Sequence, residues 1–158
     1  MPEPTSAVSL IALFGFFAAT ASAGATGVLF RPGAWYATLA KPAWTPPDRL
    51  FPIAWTLLYL AMTFAVWRVA LTASPWALPG VALWGWQIVL NALWSPVFFG
   101  LRRPGAGLVV ILALWLAVGA TTFAFFQASA LAGAIMLVYL AWISYAAALN
   151  LSILRRNR

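Results

Sequence analysis

The chain has 158 residues and a formal net charge of +7; it is 65% hydrophobic, only 7% charged, and its mean hydropathy is +0.94. A water-soluble domain carries roughly 25% charged residues, so this chain cannot solvate its own surface and reads as an integral membrane protein, with the length of one domain spanning residues 1–158. It contains no Cys and no His, which excludes disulfides, thiolate chemistry and Cys-based metal sites and removes the commonest general base and metal ligand, so no metal site is predicted.

Residues 1–6 form a short tail holding Glu3, and residues 7–29 are an apolar run of spanning length. Ala21-Ser22-Ala23 resembles a signal cleavage site, but no Lys or Arg precedes the run and the tail is acidic, so a retained first helix is predicted. Gly15, Ala19, Ala23 and Gly27 recur every four residues, a small-residue stripe suited to close helix packing.

The first loop, 31–47, leads into a Trp- and Pro-rich stretch running to Tyr59. Pro42, Pro46 and Pro47 predict a stiff, extended segment over 41–47. Thr45 as N-cap, Pro46 at the first helical position and Asp48 three residues after the cap predict a helix over 48–72, with Pro52 able to kink it. After a turn at 72–79 a third helix is predicted over 80–100, followed by a tight basic turn with Arg102 and Arg103. Helices over 106–126 and 131–154 flank a short polar turn at 127–130, and Arg155, Arg156 and Arg158 close the chain. The fold class is therefore an all-α membrane protein, a five-transmembrane-helix bundle in which sequence neighbours pack together. A β-barrel would require short alternating segments, which are absent from this sequence.

Eight of the nine basic residues fall on one side of such a bundle, all except Arg68. In a bacterial cell membrane this bias places the first loop and the C-terminus in the cytoplasm and the N-terminus outside. It also accounts for the positive charge without a nucleic-acid partner. The only carboxylates are Glu3 and Asp48, so a paired-carboxylate mechanism would need Glu3 to leave the tail.

Polar and aromatic residues inside the spans fall on three helical faces: Trp55, Tyr59 and Met62; Gln87, Asn91, Trp94 or Ser95, and Phe98; and Tyr139, Trp142, Ala146 and Asn150. A mid-membrane amide needs a partner and turns to the bundle interior. Two readings fit. The faces line a small-molecule pocket, mostly apolar with a few placed polar groups, or Asn91 bonds a neighbouring helix and the rings fill the core. The Trp/Pro stretch likewise reads either as part of that pocket or as an interfacial aromatic loop.

Four blocks carry a resemblance: WYxxLxKPxWxPP from Trp35, FPxxWTxLY from Phe51, NxxWxxxFF from Asn91 and YLxWxxxAxxLN from Tyr139. In order and at family spacing they resemble the TspO/MBR family, the tryptophan-rich sensory proteins and the translocator protein (peripheral-type benzodiazepine receptor), across residues 10–152. The resemblance implies a five-helix bundle, a homodimer, and a pocket under the first loop for porphyrin, haem or isoquinoline-type ligands, with no required cofactor. It assigns that pocket to Trp44, Trp55, Tyr59, Asn91, Trp94, Trp142 and Ala146, with Tyr36 and Lys41 from the loop. The family's C-terminal sterol pattern needs a Tyr that residues 149–155 lack, so sterol binding is not carried over.

Three functions compete. The first is a tetrapyrrole-binding sensor or translocator-like protein. The second is light- and oxygen-dependent porphyrin degradation, with Trp55 and Trp142 as candidate electron donors. The third is a transporter of porphyrin or sterol-like lipids, against which stand the lack of an inverted repeat and of an intramembrane carboxylate. Without His or Cys, strong axial haem ligation is not expected.

Overall fold

A computed structural model describes residues 6–158; the tail carrying Glu3 lies outside the described residues. Helix α1 is Ser6–Leu29, α2 Ala34–Thr38, α3 Leu50–Ala70, α4 Ala77–Ser95, α5 Pro104–Ala128 and α6 Ala130–Arg156. A π-helical turn, Pro96–Gly100, extends α4. Five of these segments are long and apolar enough to cross a membrane. At 1.5 Å per residue they measure about 32–40 Å, enough for the hydrocarbon core with some tilt.

The spans form a closed ring in which α1 packs on α3, α3 on α6, α6 on α5, α5 on α4 and α4 on α1. Its buried centre is mostly apolar, with Met62 and Val66 from α3, Leu114 and Val118 from α5, and Met136 and Ile143 from α6, and it encloses the amides of Gln87 and Asn91 from α4. Small residues set the closest approaches. A Cβ on Gly24 of α1 would lie 3.2 Å from the Tyr59 ring, and one on Gly80 of α4 would lie 3.2 Å from Phe125. The outer faces present Ile11, Leu78, Trp86 and Val109, exposed side chains that suit lipid and not water.

The predicted small-residue stripe is a seam over only part of its length. Ala23 is buried and Ala19 packs on the core, but a Cβ at Gly15 would meet nothing within 4 Å. Thr20 joins the seam instead, its hydroxyl 2.8 Å from that of Thr63 on α3.

The first loop departs most from expectation. It contains the helix α2, whose single turn is too short to stand alone and is held by Tyr36, buried against Phe98 and Phe99. The extended run over 41–47 is interrupted by a turn at 43–44, closed by Thr45 N–H donating to the Pro42 carbonyl at 3.0 Å. Thr45 is not the N-cap of α3. Its hydroxyl donates to the Pro42 carbonyl at 2.7 Å, and the helix begins two residues later than predicted, after Arg49. The pull of Pro42 on Thr45 outcompetes capping. Pro52 sits in the first turn of α3, where its missing N–H has no intrahelical role.

Helix α3 also ends two residues early, at Ala70, whereas the boundaries of α4, α5 and α6 shift outward or stay in place. Helix α4 starts at Ala77, and only Ser129 separates α5 from α6, its extended backbone and side-chain oxygen capping Ala132 N–H at 3.4 Å. Pro96 cannot donate to the carbonyl four residues back. The helix widens to accommodate it, with Leu101 N–H donating to the Pro96 carbonyl at 2.8 Å.

The first loop and the C-terminus meet at one end. Asn157 Oδ1 accepts from Ala40 N–H at 2.9 Å, while its Nδ2 donates to the carbonyls of Ala40 at 3.0 Å and Ile153 at 2.8 Å. The 101–103 turn lies at this same end, beside the Tyr36–Phe99 contact, and Arg68 lies at the other.

Candidate ligand site

The sequence-predicted residues separate into three touching groups. At the centre, Tyr59 Oη donates to Asn91 Oδ1 at 2.7 Å and Asn91 Nδ2 donates to Tyr139 Oη at 2.7 Å. One amide thus joins α3, α4 and α6 and satisfies both of its ends, the condition for burying it away from water. Trp55 lies against this hub, its ring centroid 5.3 Å from Tyr59 and 6.2 Å from Tyr139.

The second group opens outward. Trp142 stands edge-on to Trp55 at 6.4 Å and is flanked by Phe51 at 6.1 Å and Tyr145 at 5.8 Å. On its far side lies a cleft of about 350 Å³ between α3 and α6, lined by Pro46, Leu50, Ile53, Ala54, Leu57, Trp142 and Tyr145. Its volume falls at the lower end of small-molecule sites. Ile53 and Leu57 are exposed, so the cleft faces the lipid side of the ring. Trp44 of the first loop packs on Tyr145 without lining the cleft itself, its ring 5.5 Å from Tyr145, whose Oη donates to the Trp44 carbonyl at 3.0 Å. The buried Trp142 Nε1 has no hydrogen-bond partner among the described residues. Ala146, one turn beyond Trp142, packs half-buried against the core.

The third group sits at the end of α4. Trp94 stacks on Phe98 at 4.9 Å, and its Nε1 donates to Asn150 Oδ1 at 3.2 Å. Asn150 Nδ2 donates in turn to the Pro104 carbonyl at 2.8 Å. Tyr36 packs here, with Lys41 Nζ 4.4 Å from its ring centroid. Burial, then the charge of Asp48 and the nearby Tyr145, push the Tyr36 phenol above the ordinary tyrosine range. The phenol is therefore neutral at physiological pH, and Lys41 meets a π-face, not a phenolate. Of the sequence-predicted residues only Trp142 lines the cleft; Tyr36, Lys41, Trp44, Trp55, Tyr59, Asn91, Trp94 and Ala146 do not.

Sequence reasoning missed Tyr145 and the apolar wall. Tyr145 lies three residues after Trp142, within helical reach of the same side, which was a usable signal. Leu50, Ile53 and Leu57 read as ordinary lipid-facing residues, and nothing in their types marks a cleft. Among the described residues there is no cluster of metal-ligating side chains.

A ring of five spans with a hydrogen-bonded aromatic centre, closed at one end by a Trp/Pro loop, defines an integral multi-pass membrane protein of the tryptophan-rich kind. Residues 7–156 match the model of the TspO/MBR family, and the chain belongs to that family. It is 45% identical over 152 residues to Protein CrtK of Rhodobacter capsulatus, covering 95% of each chain. It is 44% identical to a tryptophan-rich sensory protein of Cereibacter sphaeroides, over 90% of this chain and 89% of the other. It is 38% identical to the human translocator protein, over 78% of this chain and 75% of the other.

Proposed function

We propose that this protein binds a flat tetrapyrrole, porphyrin or haem, in the cleft between α3 and α6, and acts as a sensor or translocator-like protein for it. The observation that carries the reading is Trp142. Its ring forms part of the cleft wall beside Tyr145 and is packed against Trp55 and Phe51. An aromatic macrocycle gains area burial and stacking against such a wall, and an isoquinoline-type ligand would use the same surface. Because the cleft faces lipid, the ligand enters sideways from the bilayer. Arg49, next in the chain to Leu50 of the cleft wall, is the cation suited to a propionate at the rim. The chain offers no His or Cys for axial ligation, so metal-free protoporphyrin binds about as well as haem.

The positively charged end faces the cytoplasm in this reading, which a C-terminal reporter active only in that compartment tests. The protein works as a homodimer, testable by its mass in a detergent-corrected scattering measurement. The binding test is quenching of tryptophan emission by protoporphyrin, titrated beside a melting curve. Saturable quenching that weakens in Trp142→Phe at unchanged melting temperature supports the site; unchanged titrations with a lower melting temperature defeat it.

A second reading, light- and oxygen-dependent degradation of the bound porphyrin, is favoured by the same indole, an oxidisable ring at the cleft wall. Illumination in air must then yield one defined product over several turnovers. Carrier-type transport lacks comparable support: the only acidic side chains in the sequence are Glu3 and Asp48, and among the described residues no span contains one.

A further inference from the structure

Beyond the cleft wall, the rings continue. Trp55, Trp142, Tyr145 and Trp44 touch in series, with centroid separations of 6.4, 5.8 and 5.5 Å. All four are Trp or Tyr, the aromatic side chains that release an electron most readily. Phe51, 6.1 Å from Trp142, is a branch that cannot carry one. The series runs from the hydrogen-bonded hub, through half-buried rings, to the exposed Trp44 in the first loop.

We propose that this series is a one-electron relay, carrying an oxidising equivalent from a photo-excited ligand in the cleft to Trp44 at the surface. For its natural oxidant the proposal rests on the tetrapyrrole reading above. The excited ligand takes one electron from Trp142, leaving a ligand radical anion and an indole radical cation. Dioxygen accepts the electron from the ligand and becomes superoxide. An electron from Trp44, passed through Tyr145, refills Trp142. Trp44 then loses its indole N–H proton to water and becomes a neutral radical, which a reductant in solution restores with one electron and one proton.

The direction follows from where charge and protons can go. Trp142 is half-buried and its buried Nε1–H has no acceptor among the described residues, so a radical cation there stays charged in a largely apolar medium that disfavours charge. Inward, the phenols of Tyr59 and Tyr139 meet only the Asn91 amide, which is not a base. The Tyr145 proton is held by the Trp44 carbonyl, which cannot keep it. Trp44 is the exposed member of the series and lies in the first loop, outside the spans, where solvent can take a proton, so the hole comes to rest there and Trp142 is spared.

The chain has no Cys, so Leu57→Cys sets a single thiol on the cleft wall for a ruthenium polypyridyl photo-oxidant, flashed with a sacrificial electron acceptor. Peptide mass spectrometry then maps oxidised tryptophans. Trp86, 68% exposed against 49% for Trp44 and outside the series, is the internal control. The relay predicts several-fold more oxidation at Trp44 than at Trp86. It also predicts that Tyr145→Phe, on the same labelled background, lowers the Trp44 yield several-fold and raises that at Trp142. Equal oxidation of Trp44 and Trp86, or a Trp44 yield indifferent to Tyr145→Phe, overturns it. If Tyr145→Phe lowers the melting temperature, Trp44→Phe decides: Trp142 oxidation must rise several-fold, and an unchanged yield overturns the relay. The ruthenium complex supplies the oxidant without any porphyrin, so these failures are distinct from a failure of protoporphyrin to quench.

Discussion

Tyr139 and Trp142 lie three residues apart on α6, both against Trp55, yet they live under different rules. Tyr139 is 1% exposed, and its hydroxyl belongs to the Tyr59–Asn91–Tyr139 chain, where every polar atom that links the helices has a partner. Trp142 is half-buried at the cleft, and its Nε1–H has no partner among the described residues. A buried donor without an acceptor costs stability, so this indole contributes through its ring and not through its N–H. The hub links three helices, and the ring beside it stands in the wall of the cleft.

The largest effect should come from breaking the hub. Asn91→Ala strands two phenols and leaves a small void, a loss of about 2–4 kcal/mol that unfolding in detergent will register. Tyr59→Phe and Tyr139→Phe each remove one of the two hydrogen bonds and should cost about 0.5–1.5 kcal/mol. If Asn91→Ala costs no more than either, the hub is not what joins the helices.

Next comes the third group, as a control away from the cleft. A Cβ on Gly107 would lie 2.9 Å from the buried Phe98 ring and 3.2 Å from Asn150 Oδ1. Gly107→Ala should therefore cost about 1–3 kcal/mol by overpacking and leave protoporphyrin titrations unchanged. A shift in those titrations would show that the Trp94–Phe98 stack is coupled to the cleft.

Trp142→Phe should reverse that pattern. It removes an unpaired N–H and keeps a ring, so melting should hardly move. Protoporphyrin affinity should fall by the order of a stacking difference, about 0.5–1.5 kcal/mol. Any light-driven porphyrin loss should fall much further than affinity.

The smallest effect belongs to the loop fastening. Asn157→Ala removes the pair of hydrogen bonds to Ala40 at an exposed end, so the melting temperature should stay within error. Hydrogen exchange at the Ala40 amide should accelerate, because that N–H loses its only described acceptor; unchanged protection would mean the loop is held elsewhere.

Much of this was legible in the chain. Composition and the lengths of the apolar runs are sufficient to require five membrane helices, because lipid demands that every backbone group be satisfied within its own segment. Helical spacing brought Trp55, Tyr59, Asn91, Tyr139 and Trp142 onto inward faces, because a buried amide in a membrane has nowhere else to turn. What spacing could not give was the division of labour. That Asn91 is consumed by two tyrosines, that Tyr36 and Lys41 pair with each other away from the cleft, and that Thr45 bonds Pro42 instead of capping α3 depend on distances between segments far apart in sequence.

The sequence by itself determined the medium, the number of spans and the residues too polar or too aromatic to face lipid, since these follow from local composition and a 3.6-residue period. Only the tertiary structure decided that a cleft opens between α3 and α6 with Trp142 in its wall. A cleft is a property of surfaces that fail to meet, and apolar residues such as Ile53 and Leu57 are the same whether lipid, protein or an open groove lies beside them.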